Sequence, residues 1–211
     1  MITVNTFFDK AIFTNCDHRT DRLAQFTEET ARFGIAAERF KGLVYGNPYN
    51  LPCEPGNFNV GVIGTIQTMY NAVKEAKELG LKRFLFFEDD AVFHENFVEL
   101  FDKYIRQVPE DWNLLYLGGQ NVHRPIPVTE NINRVTRAYY VHAIGIHERA
   151  YNFILELFKP EVITRNGDVI LTDIQAAHPC YIFNPRLVYQ REGISDVWGH
   201  LLNFDQYLKD K

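Results

Sequence analysis

Along the first 120 residues, short apolar runs alternate with longer segments of helical periodicity, and nothing else in the chain limits the fold as strongly. "KAIFTN" (Lys10 to Asn15), "AERFKGLV", "RFLFF" (Arg83 to Phe87) and "WNLLYLGG" read as strands. The last two carry too little polarity for a solvated face, and strands buried on both faces belong to parallel sheets covered by helices. The segments between supply those helices. "RTDRLAQFTEETARFG" places Leu23, Phe26, Thr30 and Phe33 at helical spacing, with Thr20 as N-cap and Gly34 as stop. A helix over 60–79 has Ile63, Ile66, Tyr70, Val73 and Ala76 on one face and ends at Gly80. "ENFVELFDKYIRQV" repeats the pattern with Phe97, Phe101, Tyr104 and Val108. The chain therefore reads as α/β, with a mostly parallel central sheet flanked by helices.

The C-terminal part is more mixed. "HRPIPVTENINRVTRAYYVHAIGI" has short β-like runs among turn residues, which predicts a hairpin or a small antiparallel excursion. "HERAYNFILELF" predicts a helix, "DVILTDIQAAH" a strand or loop leading into a short helix, and "YIFNPRLVYQ" a late strand. The Gly-, Pro- and Asn-dense segment 45–57 predicts a loop, either a plain surface loop or, with Tyr45 and Tyr49, a lid.

The net charge of −5 argues against a nucleic-acid surface. Cys16, Cys53 and Cys180 are too few and too scattered for a disulfide framework, which suits a reducing compartment. Neither a signal peptide nor a membrane span is visible, so the expected location is cytoplasmic. Phe 17 and Tyr 11 make the chain rich in aromatics, which pack cores but also line sugar and nucleobase sites.

Chemistry concentrates where "RFLFF" runs into Glu88, Asp89 and Asp90. Ligands of open parallel sheets gather at the carboxyl ends of strands, and these acids stand at such an end. Continued alternation would put Glu88 and Asp90 on one side and Asp89 on the other. Adjacent carboxylates repel unless a cation offsets them, and Mg²⁺ or Mn²⁺ is the partner for hard oxygen ligands that also meet substrate phosphates. The alternative is a solvated turn or a helix cap. "TNCDHRTDR" adds Asn15, Arg19 and Arg22 beyond a strand end and at a helix start, where an anion is favoured. Those arginines could equally pair with Asp17, Asp21 or Glu28.

Taken in order, "TNCDHRTDR", "GVIGTIQTMYNAV", "FLFFEDDAVF" and "WNLLYLGG" resemble glycosyltransferase family 25, the lipooligosaccharide and collagen galactosyltransferase type. "RVTRAYYVHAIGIHERAYNFI", "TDIQ" and "YQREGISDVWG" extend the likeness over about 11–199. The resemblance implies a GT-A fold in a single domain, with 1–120 the nucleotide-binding half and 121–211 the acceptor-binding half. It also implies a nucleotide-sugar donor, a UDP-sugar first, a glycan acceptor, Mn²⁺ and inverting transfer. By position, Asp90 would ligate the metal, and Glu88 would join it or hold the ribose. Thr14, Asn15, Arg19, Arg22 and Asp89 would line the donor site, with Asn15 near the nucleoside. Asp173 would be the general base. His200 would be a further metal ligand, with His178 its competitor. Trp198 and Tyr189 are candidates for stacking on a sugar, against plain core packing. One departure stands out: the family's Gly-x-x-Gly-Cys-x-x-Ser-His segment is here Gly61, Gly64, Thr65, Thr68 and Met69, without the histidine. Two other classes remain open from the residues themselves. A metal-dependent phosphohydrolase or nuclease would use clustered acids, and a non-catalytic carbohydrate-binding domain would use the aromatics.

Overall fold

The computed structural model describes residues 1–44, 60–163, 165–197 and 201–202. After a short helix, α1 (Val4–Phe7), the chain alternates β1 (Lys10–Asn15), α2 (Thr20–Arg32), β2 (Ala37–Lys41), α3 (Val60–Glu78) and β3 (Arg83–Glu88). Next come β4 (Ala91–Phe93), α4 (Phe97–Ile105) and β5 (Leu114–Tyr116). A β-rich stretch follows: β6 (Gln120–Asn121), β7 (Ile126–Pro127), β8 (Ile132–Arg134), β9 (Ala138–Tyr139) and β10 (Ala143–His147). The rest is α5 (Glu148–Leu157), α6 (Gly167–Ala177), β11 (Cys180–Phe183), β12 (Val188–Gln190) and the pair β13 (Gly193–Ile194) and β14 (Leu201–Leu202).

The central sheet has eight strands in the order β2-β1-β3-β10-β5-β11-β8-β7. Pairs β1–β2, β1–β3 and β5–β11 are parallel, whereas β10 and β8 run against their neighbours. Six strands therefore point one way and two the other, the α/β arrangement expected from the alternation. The antiparallel excursion is present as well, in the β7–β8 hairpin and the β6–β9 pair.

Strand β3 shows why the apolar runs had to be buried. Phe84 and Phe86 face one side with Ile12, Tyr116 and Ile144, under α3, α5 and α6. Leu85 and Phe87 face the other with Phe13 and Leu115, under α1, α2 and α4. Each large apolar side chain so covered contributes roughly 1.5–3 kcal/mol relative to exposure. Helices α2 and α3 both stop on left-handed glycines, Gly34 (φ 63) and Gly80 (φ 68). In each case the next amide reaches back to a carbonyl five residues earlier: Ile35 N to Thr30 O, and Leu81 N to Ala76 O.

Three expectations change. The N-cap of α2 is Arg19 rather than Thr20, because the Arg19 carbonyl already accepts the first helical bond, from Leu23 N at 3.0 Å. "DVILTDIQAAH" is helical up to Ala177, within α6, with His178 as its extended C-cap, because Ile170, Leu171 and Ile174 seat on one core face and tertiary packing overrides their strand preference. "YIFNPRLVYQ" is two strands, β11 in the central sheet and β12 paired with β4. Among the described residues no helix is long and apolar enough to cross a membrane.

Candidate functional site

The site grows from neighbouring strand ends. β1 and β3 are parallel with Thr14 opposite Glu88, so both carboxyl ends reach the same edge of the sheet. β10 runs the other way and delivers its N-terminal end, preceded by Tyr140–His142, to that edge; Glu88 N donates to His142 O at 3.0 Å. The chain leaves β3 at Glu88 and turns at Asp89–Asp90 into β4. The strand alternation therefore lapses at Glu88, and the expected division of Glu88 and Asp90 from Asp89 does not hold. Asp89 and Asp90 share a cation instead.

That cation is Arg22. Its Nη1 donates to Asp89 Oδ1 and Asp90 Oδ2, both at 3.0 Å, and its Nη2 to Ile194 O at 2.9 Å. Asn15, buried beside it, donates from Nδ2 to Asp89 Oδ2 at 2.7 Å and to Arg19 O at 3.0 Å, and accepts from Arg39 Nε at 3.0 Å. Its amide is fully engaged, so Asn15 acts as a strut for Asp89. Gln190, carried in by the β4–β12 pair, donates to Asp90 Oδ2 at 3.2 Å. Asp90 Oδ1 is buried without a hydrogen-bond partner.

Burial pushes all three carboxyls up. For Asp89 the bonds from Asn15 and Arg22 work against the rise, and for Asp90 those from Arg22 and Gln190 do. Glu88 is pushed up to about 8: burial is the main cause, followed by the charges of Asp90, Asp89 and Asp168. Glu88 touches solvent only because it borders a cavity, and deep in the protein its charged form is poorly solvated.

The cavity measures about 650 Å³. Thr14, Arg22 and the three acids line one side; Val62, Ile66 and Met69 of α3 form an apolar wall. Tyr139, Tyr140, Asp168 and Leu171 line it too, and Ser195–Val197 border it as well. Its described lining holds five carboxylates (Glu88, Asp89, Asp90, Asp168, Asp196) and one guanidinium, Arg22. Asp168 stands in the first turn of α6, which seats closely on Ile66 at Gly167, where a Cβ would come within 3.1 Å of the Ile66 side chain. Burial raises the Asp168 carboxyl, and backbone N–H groups of Tyr140 and Val169 oppose the rise.

Several expected site residues lie elsewhere. Asp173 is exposed and pairs with Arg165 at 2.5 Å. It does not line the cavity: five residues beyond Asp168 it is turned about 140° around α6, away from that wall. Arg19 is tied to Asp21 and Asp196 at 3.0 and 2.8 Å and is not among the lining residues. His178 caps the far end of α6, stacked on Phe153 at 4.1 Å and roughly 15 Å along the helix from Asp168. Tyr189 donates its hydroxyl to Arg186 O and does not line the cavity either. His200, Trp198 and the segment 45–57 lie outside the described residues. Of the departing α3 residues, Thr65 and Met69 line the cavity, while Thr68 bonds Gly64 O and Leu43 N as a structural link. Asp168, Gln190 and Tyr140 escaped the sequence reading. For Asp168 a signal existed, the Asn166-Gly167 turn pair followed by an acid in a first helical turn.

Among the described residues no group of three or more His, Cys, Asp or Glu side chains is arranged to hold a metal ion. The donor chemistry still fits a hard cation of another kind. Asp90 Oδ1 is a buried, unpartnered oxygen in a cavity with excess negative charge, and Mg²⁺-like ions are commonly held by one or two carboxylates plus substrate phosphates and water.

No protein-family model matches the chain, and no curated protein matches it in sequence. Among solved structures, A197 from STIV matches at TM-score 0.46 and 9% identity over 87% of this chain and 95% of its own. A glycosyltransferase involved in glycosylation of the major capsid of PBCV-1 matches at 0.40 and 7%, over 82% and 92%. Mouse xyloside xylosyltransferase 1 matches at 0.41 and 10%, over 80% and 82%. At these scores and identities they establish nothing about this chain's chemistry, which is read from its own residues.

Proposed function

We propose that the protein is a GT-A type glycosyltransferase that moves a sugar from a nucleoside diphosphate sugar, a UDP-sugar first, to a hydroxyl of a glycan acceptor. The observation that carries the reading is the Asp90 carboxylate. One of its oxygens is held by Arg22 and Gln190 and the other is buried and unpartnered, at the carboxyl edge of a parallel strand pair. Such a group is stabilised by a cation that arrives with an anionic ligand. The resemblance to glycosyltransferase family 25 at "FLFFEDDAVF" supports the same conclusion.

In this reading Asp90 holds Mn²⁺ or Mg²⁺ through Oδ1, with Glu88 beside it. Bound there, the ion would neutralise charge building on the diphosphate leaving group. Arg22, poised between Asp89 and Asp90, can turn its guanidinium toward a phosphate once a cation relieves those acids. Thr14 lies along the donor's path, and Asn15 keeps Asp89 in place. Asp168, on the first turn of α6, takes the proton from the acceptor hydroxyl as that oxygen bonds to the anomeric carbon. The carbon–oxygen bond to the nucleoside diphosphate breaks in the same step. A burial-raised carboxylate is a better proton acceptor than a free one. Asp168 thus takes the role expected of Asp173. The free thiols of Cys16 and Cys180 suit a reducing, cytoplasmic setting.

Incubation with a panel of nucleotide sugars and Mn²⁺, followed by measurement of free nucleotide, tests the proposal. Slow release from one donor, accelerated by a glycan, is expected. Cleavage of simple phosphate esters without nucleotide-sugar turnover would point to a phosphohydrolase instead.

A further inference from the structure

Tyr140 is the one described residue other than glycine with a positive φ, at 65°. Left-handed backbone costs little for glycine and much more for a bulky side chain, and such strain persists only where the surroundings enforce it. Here they do. Gln175, buried on α6, clamps Ala138 from both sides: its Oε1 accepts from Ala138 N at 2.8 Å and its Nε2 donates to Ala138 O at 3.0 Å. Asp168, seven residues earlier on the same helical face, accepts from Tyr140 N at 3.5 Å. Tyr139 between them is fixed by Arg137, which donates to its hydroxyl at 2.8 Å and lies over its ring.

A glycine would satisfy this backbone without strain, yet the position carries a half-buried tyrosine that lines the cavity. The aromatic group is therefore what the strain maintains. Two tyrosines side by side, next to a carboxylate, match one ligand chemistry well. A pyranose ring offers a C–H face to aromatic carbon and hydroxyls to an acceptor oxygen. We propose that Tyr139, Tyr140 and Asp168 form the acceptor subsite, in which a hexopyranose lies against the tyrosines and presents one hydroxyl to Asp168. The inference rests on the transferase reading and specifies its acceptor side: a terminal sugar ring rather than a protein or lipid hydroxyl.

The test is Tyr140→Gly, with Tyr140→Phe as the conservative partner. The glycine variant removes backbone strain together with a half-buried ring, two effects of opposite sign, so a cooperative melt is required only to show that it folds. Its acceptor KM rises about two- to tenfold, the scale of one lost aromatic contact, and a smaller share of cleaved donor reaches the acceptor. Tyr140→Phe retains the wild-type acceptor KM. A wild-type KM in the glycine variant overturns the subsite, since the ring would then serve only the fold. Saturation-transfer NMR of methyl hexopyranosides on nucleotide-free protein separates this inference from the transferase reading. Ring-face contacts present in the wild type and lost in Tyr140→Gly support the subsite even where no nucleotide sugar is cleaved. Absence of contact with the wild type overturns it.

Discussion

The two acidic corners of the cavity differ in how their charge is met. At the β1–α2 corner, Asp89 and Asp90 are bound by Arg22, Asn15 and Gln190. At the α6 corner, no described guanidinium bonds Asp168, whose carboxylate has only backbone N–H partners among the described residues; Glu88, at the end of β3, likewise has no described guanidinium partner, and its carboxyl is raised to about 8. Burial is common to both, so the difference lies in the partners. In the proposed function the first corner would hold fixed charge and exchange Arg22 for a metal ion, and the second would gain and lose a proton.

The largest effect should come from the proton-handling corner. Asp168→Asn should lower kcat by about 10²–10⁴-fold, the usual worth of a general base, with UDP affinity in calorimetry little changed. A parallel loss of UDP binding would erase the distinction between the corners. At the fixed-charge corner, Arg22→Ala leaves two largely buried carboxylates without their cation. Urea denaturation should show a loss of about 3–5 kcal/mol, smaller at low pH, where the acids can protonate.

A gentler probe uses pH. Glu88 ionises near 8 in the fold against 4.5 for the free group. Between those values the unfolded chain has released a proton that the folded chain retains, so stability falls as pH rises through that window. The melting temperature of ligand-free protein should decline from pH 5 to 8, and Glu88→Gln should flatten the decline. An unchanged slope in the variant would mean that Glu88 is not the source. The smallest effect belongs to Asp173→Asn. An exposed ion pair with Arg165 is worth at most about 1 kcal/mol, and turnover should stay at the wild-type rate. A crippled Asp173→Asn enzyme would return the base to the position that sequence alone suggested.

Period and polarity made the fold legible: β1 and β3, α2 and α3 lie within a residue or so of where apolar spacing and terminal glycines put them. Half of the site was legible for the same reason, since three acids directly after "RFLFF" must stand at a strand end. The part carried by α6 was not. Whether Asp168 or Asp173 faces the cavity depends on where α6 begins and how it is rotated, which Gly167 against Ile66 fixes only in three dimensions. Asn15, Arg19 and Arg22 were grouped by proximity in sequence, yet Asn15 is a strut for Asp89, Arg19 ties down Asp196 and Arg22 alone of the three brings a positive charge to the acids. Tyr140 has no local signal, because its left-handed backbone is imposed by Gln175 and Asp168 from another element.

Titration calorimetry of UDP, with and without Mn²⁺, on wild-type protein and on Asp90→Ala bears most directly on the cation at Asp90. UDP should bind the wild type tightly only when Mn²⁺ is present, and Asp90→Ala should lose that dependence together with most of the affinity. Equal binding of UDP to both proteins, indifferent to Mn²⁺, would contradict the account.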